Sequence, residues 1–173
     1  MARLFFALWP DLPARQALAA HGERLARLAG GRPVPASRLH LTLVFLGEIE
    51  PPRIDSLREA AQEVEANRFG MALDEIGSFR HARVAWAGLR KPSPALLTLQ
   101  AALAGNLARR GIELEPRPFA PHLTLVRGIG ETMAREEIQA VQWTAKTFSL
   151  VETRRAGGGY DTVADWSLRE SSV

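Results

Sequence analysis

The chain has 173 residues, of which 46% are hydrophobic and 24% charged, as expected of a globular domain with a substantial core. It contains no cysteine, which excludes disulfides and thiolate metal sites. No apolar run approaches the roughly 18 residues that span a bilayer, and Pro10 ends the first apolar stretch too early for an export signal. These features predict a cytoplasmic protein without a membrane partner.

Arginine carries almost all of the positive charge. The chain has 22 basic residues and a net charge of +3, and only Lys91 and Lys146 are lysines. The planar guanidinium group suits phosphate oxygens better than an ammonium group does. The composition is therefore compatible with a nucleic-acid or other anionic substrate, although a GC-rich genome produces the same bias.

The first half of the chain is predicted to alternate strands and helices. A strand over residues 3–8 precedes a helix over 11–28, with Asp11 as its N-cap and Gly30 beyond its end. A second strand covers 39–46, and Pro51 opens a second helix in which apolar residues recur at helical spacing through Val64.

Two strands are predicted to end the first half, and the second half is predicted to repeat the order of helix, motif strand, helix and two strands. Strands over 71–76 and 83–89 are followed by a helix that begins at Ser93 and ends at Gly111. A strand over 119–126, a short helix near 132–140 and strands over 141–151 and 160–168 complete the chain. The order predicts an α+β fold, with residues 1–173 forming a single bilobal domain that has approximate two-fold symmetry.

The tetrapeptide His-Leu-Thr-Leu occurs twice, at residues 40–43 and 122–125. Because side chains alternate along a strand, each His and Thr points to one face and both leucines point to the other. Opening a phosphate diester requires a base for the attacking oxygen and an acid for the leaving oxygen, on opposite sides of phosphorus. His40 and His122, on separate strands, meet that requirement and are the predicted catalytic residues.

Other side chains near the two motifs are candidates for binding substrate. The hydroxyls of Thr42 and Thr124 could donate hydrogen bonds to phosphate oxygens. Arg127 could clamp a phosphate, although strict alternation turns it away from His122 and a solvent-exposed charge is an equal alternative. Phe45, Phe119 and Trp86 could stack a nucleotide base, with core packing as the alternative for each. The roles of Arg80, His81 and Arg83 stay open. No metal site and no cofactor are predicted, because the sequence has no His-x-x-x-His, His-Glu-x-x-His or phosphate-loop motif.

These motifs resemble those of the 2H phosphoesterase superfamily, and within it of the RNA 2′,3′-cyclic phosphodiesterases once called 2′-5′ RNA ligases. The segments that carry the resemblance are residues 6–8, 40–47, 83–89, 117–127 and 160–168. The resemblance implies a LigT-like fold in which two antiparallel sheets line a central groove with helices outside.

The resemblance also implies a reaction. RNA ends that carry a 2′,3′-cyclic phosphate would be opened to a 2′-phosphate without a metal. His40 would be the acid at the 3′ oxygen and His122 the base acting on water, with Thr42, Thr124 and Arg127 at the phosphate-binding positions. Weak ATP-independent 2′-5′ ligation would be the reverse reaction.

Two alternatives remain. One is a related activity on small cyclic nucleotides such as an ADP-ribose cyclic phosphate, and the other is a non-catalytic RNA-binding module. No obligate protein partner is expected, so the predicted state is a monomer with RNA as its partner.

Overall fold

The computed structural model describes residues 1–91 and 93–170, and the last three residues of the predicted 1–173 domain lie outside this range. The chain forms nine strands and three α-helices within these residues. The strands are β1 (Ala2–Leu8), β2 (Arg32–Pro33), β3 (Leu41–Ile49), β4 (Phe69–Phe79), β5 (Val84–Gly88), β6 (His122–Arg127), β7 (Glu136–Ala145), β8 (Thr147–Thr153) and β9 (Tyr160–Ser167). The helices are α1 (Leu12–Ala29), α2 (Ile54–Gln62) and α3 (Pro94–Arg109). The α+β prediction is confirmed.

The strands form one antiparallel sheet with two recognisable halves. From the centre outward, one half contains β6, β5, β4 and β7, and the other contains β3, β1, β8 and β9. The two predicted sheets are these halves, which are joined where β3 pairs with β6 through Leu41 and Leu123. The two leucines hold the same place in the repeated tetrapeptide, so the approximate two-fold axis passes between them.

The core lies on the leucine side of the sheet. Leu41, Leu123 and Leu125 are fully buried there, and α1 packs against β6 while α3 packs against β3 and α2. Helix α1 begins where predicted, because the Asp11 carboxylate accepts a hydrogen bond from the Ala14 amide at 3.0 Å. The opposite face of the sheet is left uncovered by helices at the two motifs. No helix in the described ranges is long and apolar enough to cross a membrane.

The predicted helix over 132–140 is wrong. Strand β7 occupies most of that segment and pairs with the outer edge of β4. Hydrogen bonds to the free backbone groups at the edge of β4 stabilise the strand by more than the glutamate-rich sequence gains from its local preference for a helix. The Arg90 guanidinium stabilises this pairing, since it lies 3.1 Å from Glu137 and 3.4 Å from Asp74 on β4.

The predicted strand over 141–151 is in fact two strands. Lys146 separates β7 from β8, and these strands belong to different halves of the sheet. Val141, Trp143 and Ala145 alternate inward along β7, and Phe148 begins the buried run of β8. The apolar pattern therefore identified strand residues correctly and did not identify the crossing between the halves.

Candidate active site

Both motifs point toward the same side of the sheet and lie next to each other. In an antiparallel pair centred on Leu41 and Leu123, His40 lies beside Thr124 and Thr42 lies beside His122. The four polar side chains therefore share the face opposite the core, and each is partly exposed. This arrangement brings the two imidazoles and the two hydroxyls predicted from sequence into one cluster.

The two histidines are held in the same way. The Nδ1–H group of His40 donates to the Arg38 carbonyl oxygen at 2.8 Å, and that of His122 donates to the Ala120 carbonyl oxygen at 2.8 Å. A carbonyl oxygen only accepts, so each Nδ1 carries a proton. In the neutral form of each ring, Nε2 is therefore the atom that can accept a proton, and in the cationic form it is the atom that can donate one.

Three aromatic side chains surround the His40 ring. Phe5 stacks on it with ring centroids 4.8 Å apart, Tyr160 meets it edge-on at 5.1 Å and Trp9 lies at 5.4 Å. Burial among these rings lowers the pKa of His40 below its usual 6.5, and electrostatic repulsion from the nearby Arg127 and His122 lowers it further. The hydrogen bond to the Arg38 carbonyl acts in the opposite direction. The aromatic enclosure thus favours the neutral form of His40 in the free protein.

His122 lies in a more open setting. The Phe79 ring meets it edge-on at 4.9 Å, and Phe79 in turn lies 5.4 Å from Trp86. Trp86 pairs with Thr124 across β5 and β6 and is only 5% exposed, with the Arg135 guanidinium 5.6 Å from its ring. Trp86 therefore lies on the same face of the sheet as Thr124, where its neighbours cover most of the ring and leave little surface for base stacking.

A β-bulge brings Arg127 onto the catalytic face. Thr124 pairs with Trp86 and Val126 pairs with Ala85, which leaves Leu125 as the extra residue of β6. After this bulge, Arg127 pairs with Val84 and points to the same side as His122. The expectation from strict alternation is thus wrong, and the influence of Arg127 on the pKa of His40 agrees with this orientation.

The equivalent bulge occurs in β3. Thr42 pairs with Ala7 and Val44 pairs with Phe6, so Leu43 is the extra residue and Phe45 turns to the catalytic face. Phe45 and Arg127 both lie five residues beyond their histidines and occupy equivalent places about the two-fold axis. The Phe45 ring is 42% exposed.

A groove of about 770 Å³ opens beside Thr42 and His122. Phe45 lines it from β3, Phe119 lines it from the loop before β6, and Arg80 and His81 lie at its border. The symmetry-related space is occupied, because β2 pairs with the end of β6 there. In the described ranges, the segment before His122 forms no such pair with β3, which leaves room for the groove between them.

Sequence reasoning missed the aromatic enclosure of His40 and the Phe79 contact with His122. The sequence contained a signal for part of this cluster, because Phe5 and Ala7 of β1 alternate with Trp9, the residue that follows the strand. Tyr160 reaches the same cluster from β9, and the pairing of β8 with β9 that brings it there cannot be read from local pattern.

The fold and this paired-histidine site define a class of phosphoesterase. The chain belongs to the 2′-5′ RNA ligase superfamily, whose family model matches residues 13–157. It is 38% identical over 133 residues to the RNA 2′,3′-cyclic phosphodiesterase of Escherichia coli, covering 76% of this chain and 74% of that protein. It is 30% identical to the RNA 2′,3′-cyclic phosphodiesterase of Thermus thermophilus, covering 96% of this chain and 90% of that protein.

Solved structures agree with this assignment. The chain matches E. coli LigT in its apo form with a TM-score of 0.86 and 31% identity over 98% of both chains. It matches the same protein complexed with 3′-AMP with a TM-score of 0.85 and 30% identity, over 98% of this chain and 99% of that one. The predicted LigT-like fold is confirmed.

Proposed function

We propose that this protein opens 2′,3′-cyclic phosphates at RNA ends to 2′-phosphates without a metal. The observation that carries the proposal is the pair of imidazoles, each fixed at Nδ1 by a backbone carbonyl and each with Nε2 available for proton transfer. Two such groups supply both the acid and the base that the reaction needs. The names of the E. coli and T. thermophilus relatives, and the nucleotide in one LigT structure, support RNA as the substrate.

In the proposed reaction, Nε2 of His122 takes a proton from water as the water oxygen attacks phosphorus. The bond from phosphorus to the 3′ oxygen breaks, and His40 gives its proton to that oxygen. The product carries a 2′-phosphate, and the two histidines have exchanged protonation states. The assignment of acid and base follows the family resemblance.

The remaining groups stabilise the phosphate in this proposal. Thr42 and Thr124 donate hydrogen bonds to its non-bridging oxygens, and the guanidinium of Arg127 offsets the charge that develops there. Because a bound phosphate is anionic, it also raises the pKa of His40 and favours the protonated form that an acid requires.

The open groove is proposed to hold the terminal base. Phe45 and Phe119 line it from opposite sides, and an exposed aromatic ring offers a stacking surface to any base. The Arg3 guanidinium lies 5.3 Å from the Phe45 ring centroid, so a base that stacks there shares the ring with this cation.

The test is turnover of an RNA oligomer ending in a 2′,3′-cyclic phosphate, with EDTA present. His40→Ala and His122→Ala should each lower kcat by about 10²- to 10⁴-fold. His21→Ala on α1, which packs on the opposite face of the sheet from the two imidazoles, is the matched control and should retain the wild-type rate. Near wild-type turnover in either of the first two variants would contradict the mechanism, and a product with a 3′-phosphate would reverse the acid assignment.

Comparing this RNA with adenosine 2′,3′-cyclic phosphate and an ADP-ribose cyclic phosphate separates the proposed activity from one on small nucleotides. RNA binding without any product in the wild-type protein would favour a binding module. Weak 2′-5′ ligation, a single domain over residues 1–173, a monomeric state and a cytoplasmic location stay predictions.

A further inference from the structure

Two arginines lie directly opposite each other at one end of the catalytic face. Arg32 of β2 pairs with Arg127 of β6, and the next pair is Pro33 with Val126. Residues that pair across an antiparallel ladder point to the same side, so Arg32 shares the catalytic face with Arg127. Both side chains are exposed. Like charges placed directly opposite each other destabilise a sheet.

No carboxylate offsets this repulsion in the part of the chain that the structure describes. Nine ion pairs within 4.0 Å are present there, and none includes Arg32 or Arg127. The pairing of Arg32 with Arg127 in the two-residue strand β2 does not stabilise the fold, so stability does not explain why two arginines face each other there. The pairing is readily explained by an anion that binds between the two guanidinium groups.

The turn between β4 and β5 adds two more arginines to this end. Arg83 has a left-handed backbone with φ of 53°, and its carbonyl oxygen accepts from the Gly128 amide at 2.8 Å. Its Nε–H group donates to the Ile129 carbonyl oxygen at 3.0 Å. Arg83 and Arg80 line a cavity of about 460 Å³ that also contains Glu131. Within the described ranges, neither arginine has an ion pair within 4.0 Å.

We propose that Arg32, together with Arg80 and Arg83, binds the internal phosphates of an RNA strand, and that Arg127 bridges them to the cyclic phosphate. The strand would then leave the two histidines along the end of β6. This inference rests on the proposed function and adds to it the direction of the RNA and the residues that follow it. A row of arginines on three elements fits a polyanion, since successive phosphates of one strand can contact arginines on successive elements.

A polar cavity of about 700 Å³ is the alternative course for the strand. Trp9 and Tyr160, which contact His40, line it together with Lys146. Arg154 in this cavity is paired with Asp161 at 2.6 Å, and Asp11 and Asp165 line the same space. Arg15 and Arg38 line it as well, so the choice rests on continuity: the arginine row begins at Arg127, on the same face of the sheet as the two histidines. Lys146 is therefore the matched cation for a test.

The experiment compares two substrates that differ by one phosphodiester. One is uridine 2′,3′-cyclic phosphate, and the other is a dinucleotide that ends in the same group. Arg32→Ala should lower kcat/KM for the dinucleotide by about tenfold, the effect of losing one charged hydrogen-bond contact. It should leave kcat/KM for the mononucleotide within twofold of wild type. Lys146→Ala and Arg58→Ala, which remove exposed cations elsewhere, should change neither substrate.

Longer RNA extends the comparison. With a tetranucleotide, Arg80→Ala should add a further loss, and each lost contact should lower the slope of log kcat/KM against log salt by about 0.7. An equal loss on both substrates of the first comparison would mean that Arg32 only supports Arg127, and the proposal would be wrong. No loss, or a loss that follows Lys146→Ala instead, would also overturn it.

A binding measurement separates this proposal from the proposed reaction. The Kd of a fluorescent RNA trimer with a 3′-phosphate should rise about tenfold in Arg32→Ala, whether or not the wild-type protein hydrolyses anything. An unchanged Kd would overturn the arginine row even if the enzyme is active. Because the substitution removes a like-charge pair, the thermal midpoint of Arg32→Ala should equal or exceed that of wild type.

Discussion

Gly77 on β4 provides a direct test of the packing beside His122. It pairs with Trp86, and the indole ring lies over it. A Cβ atom at Gly77 would lie 2.5 Å from Cζ2 of Trp86, far inside the ordinary contact distance of 3.4 Å. Gly77→Ala must therefore push the ring away by roughly 1 Å, and a rigid indole that is 5% exposed has little room to move.

The expected cost is that of overpacking a core, about 1–3 kcal/mol. For a chain of this size, such a loss lowers the thermal midpoint by about 2–12 °C. Gly70 on the same strand is the matched control, because a Cβ there meets nothing within 4 Å. Gly70→Ala should be neutral or should stabilise the protein by up to about 1 kcal/mol, since it lowers the entropy of the unfolded chain.

Urea unfolding followed by tryptophan fluorescence measures both variants. In a Trp86→Phe background the smaller ring should remove most of the cost of Gly77→Ala, which a double-mutant cycle would report as a coupling of about 1 kcal/mol or more. Because Trp86 contacts Phe79 and Phe79 contacts His122, kcat should fall together with stability. If Gly77→Ala proves as stable as Gly70→Ala, the close approach inferred at this position is wrong.

Further predictions concern the catalytic groups. Arg127→Ala removes a positive charge that faces His40, so NMR titration of the free protein should show the pKa of His40 rising toward 6.5. Because bound phosphate raises the pKa of the acid, the alkaline limb of kcat should lie at higher pH than that of kcat/KM; coincident limbs would argue against His40 as the acid. Thr124→Val should lower kcat/KM by about 10- to 150-fold and Thr124→Ser by far less. Phe119→Ala should raise KM for RNA by about 5- to 150-fold, and Phe119→Leu would show whether ring stacking is responsible. Dialysis against EDTA should leave turnover unchanged, which chromatographic separation of the cyclic substrate from its 2′-monoester product would check.

The parts of the site that depend on local alternation could be predicted from sequence. His40 and Thr42, and likewise His122 and Thr124, share a face because strand geometry requires it. Arg127 could not be placed this way, because a bulge shifts every later residue of a strand to the other face. The bulge arises from the pairing of β6 with β5, and no property of the residues 122–127 alone identifies it.

The misplaced helix over 132–140 has the same origin. The segment has the composition of a helix, and only the presence of a free edge on β4 makes it a strand. The enclosure of His40 depends similarly on partners that are distant in sequence. Trp9 and Tyr160 are separated by most of the chain, and they meet because β8 pairs with β1 on one side and with β9 on the other.

The equivalent positions of Phe45 and Arg127 also determine the orientation of the substrate. If the two half-sites were chemically identical, a cyclic phosphate could bind in two orientations related by the axis between Leu41 and Leu123. Each orientation would present a different ribose oxygen to the acid, and the products would be a mixture of 2′- and 3′-monoesters. A ring at one position and a guanidinium at the other remove that equivalence. The isomeric purity of the product is therefore a chemical measure of how far this site departs from its own symmetry.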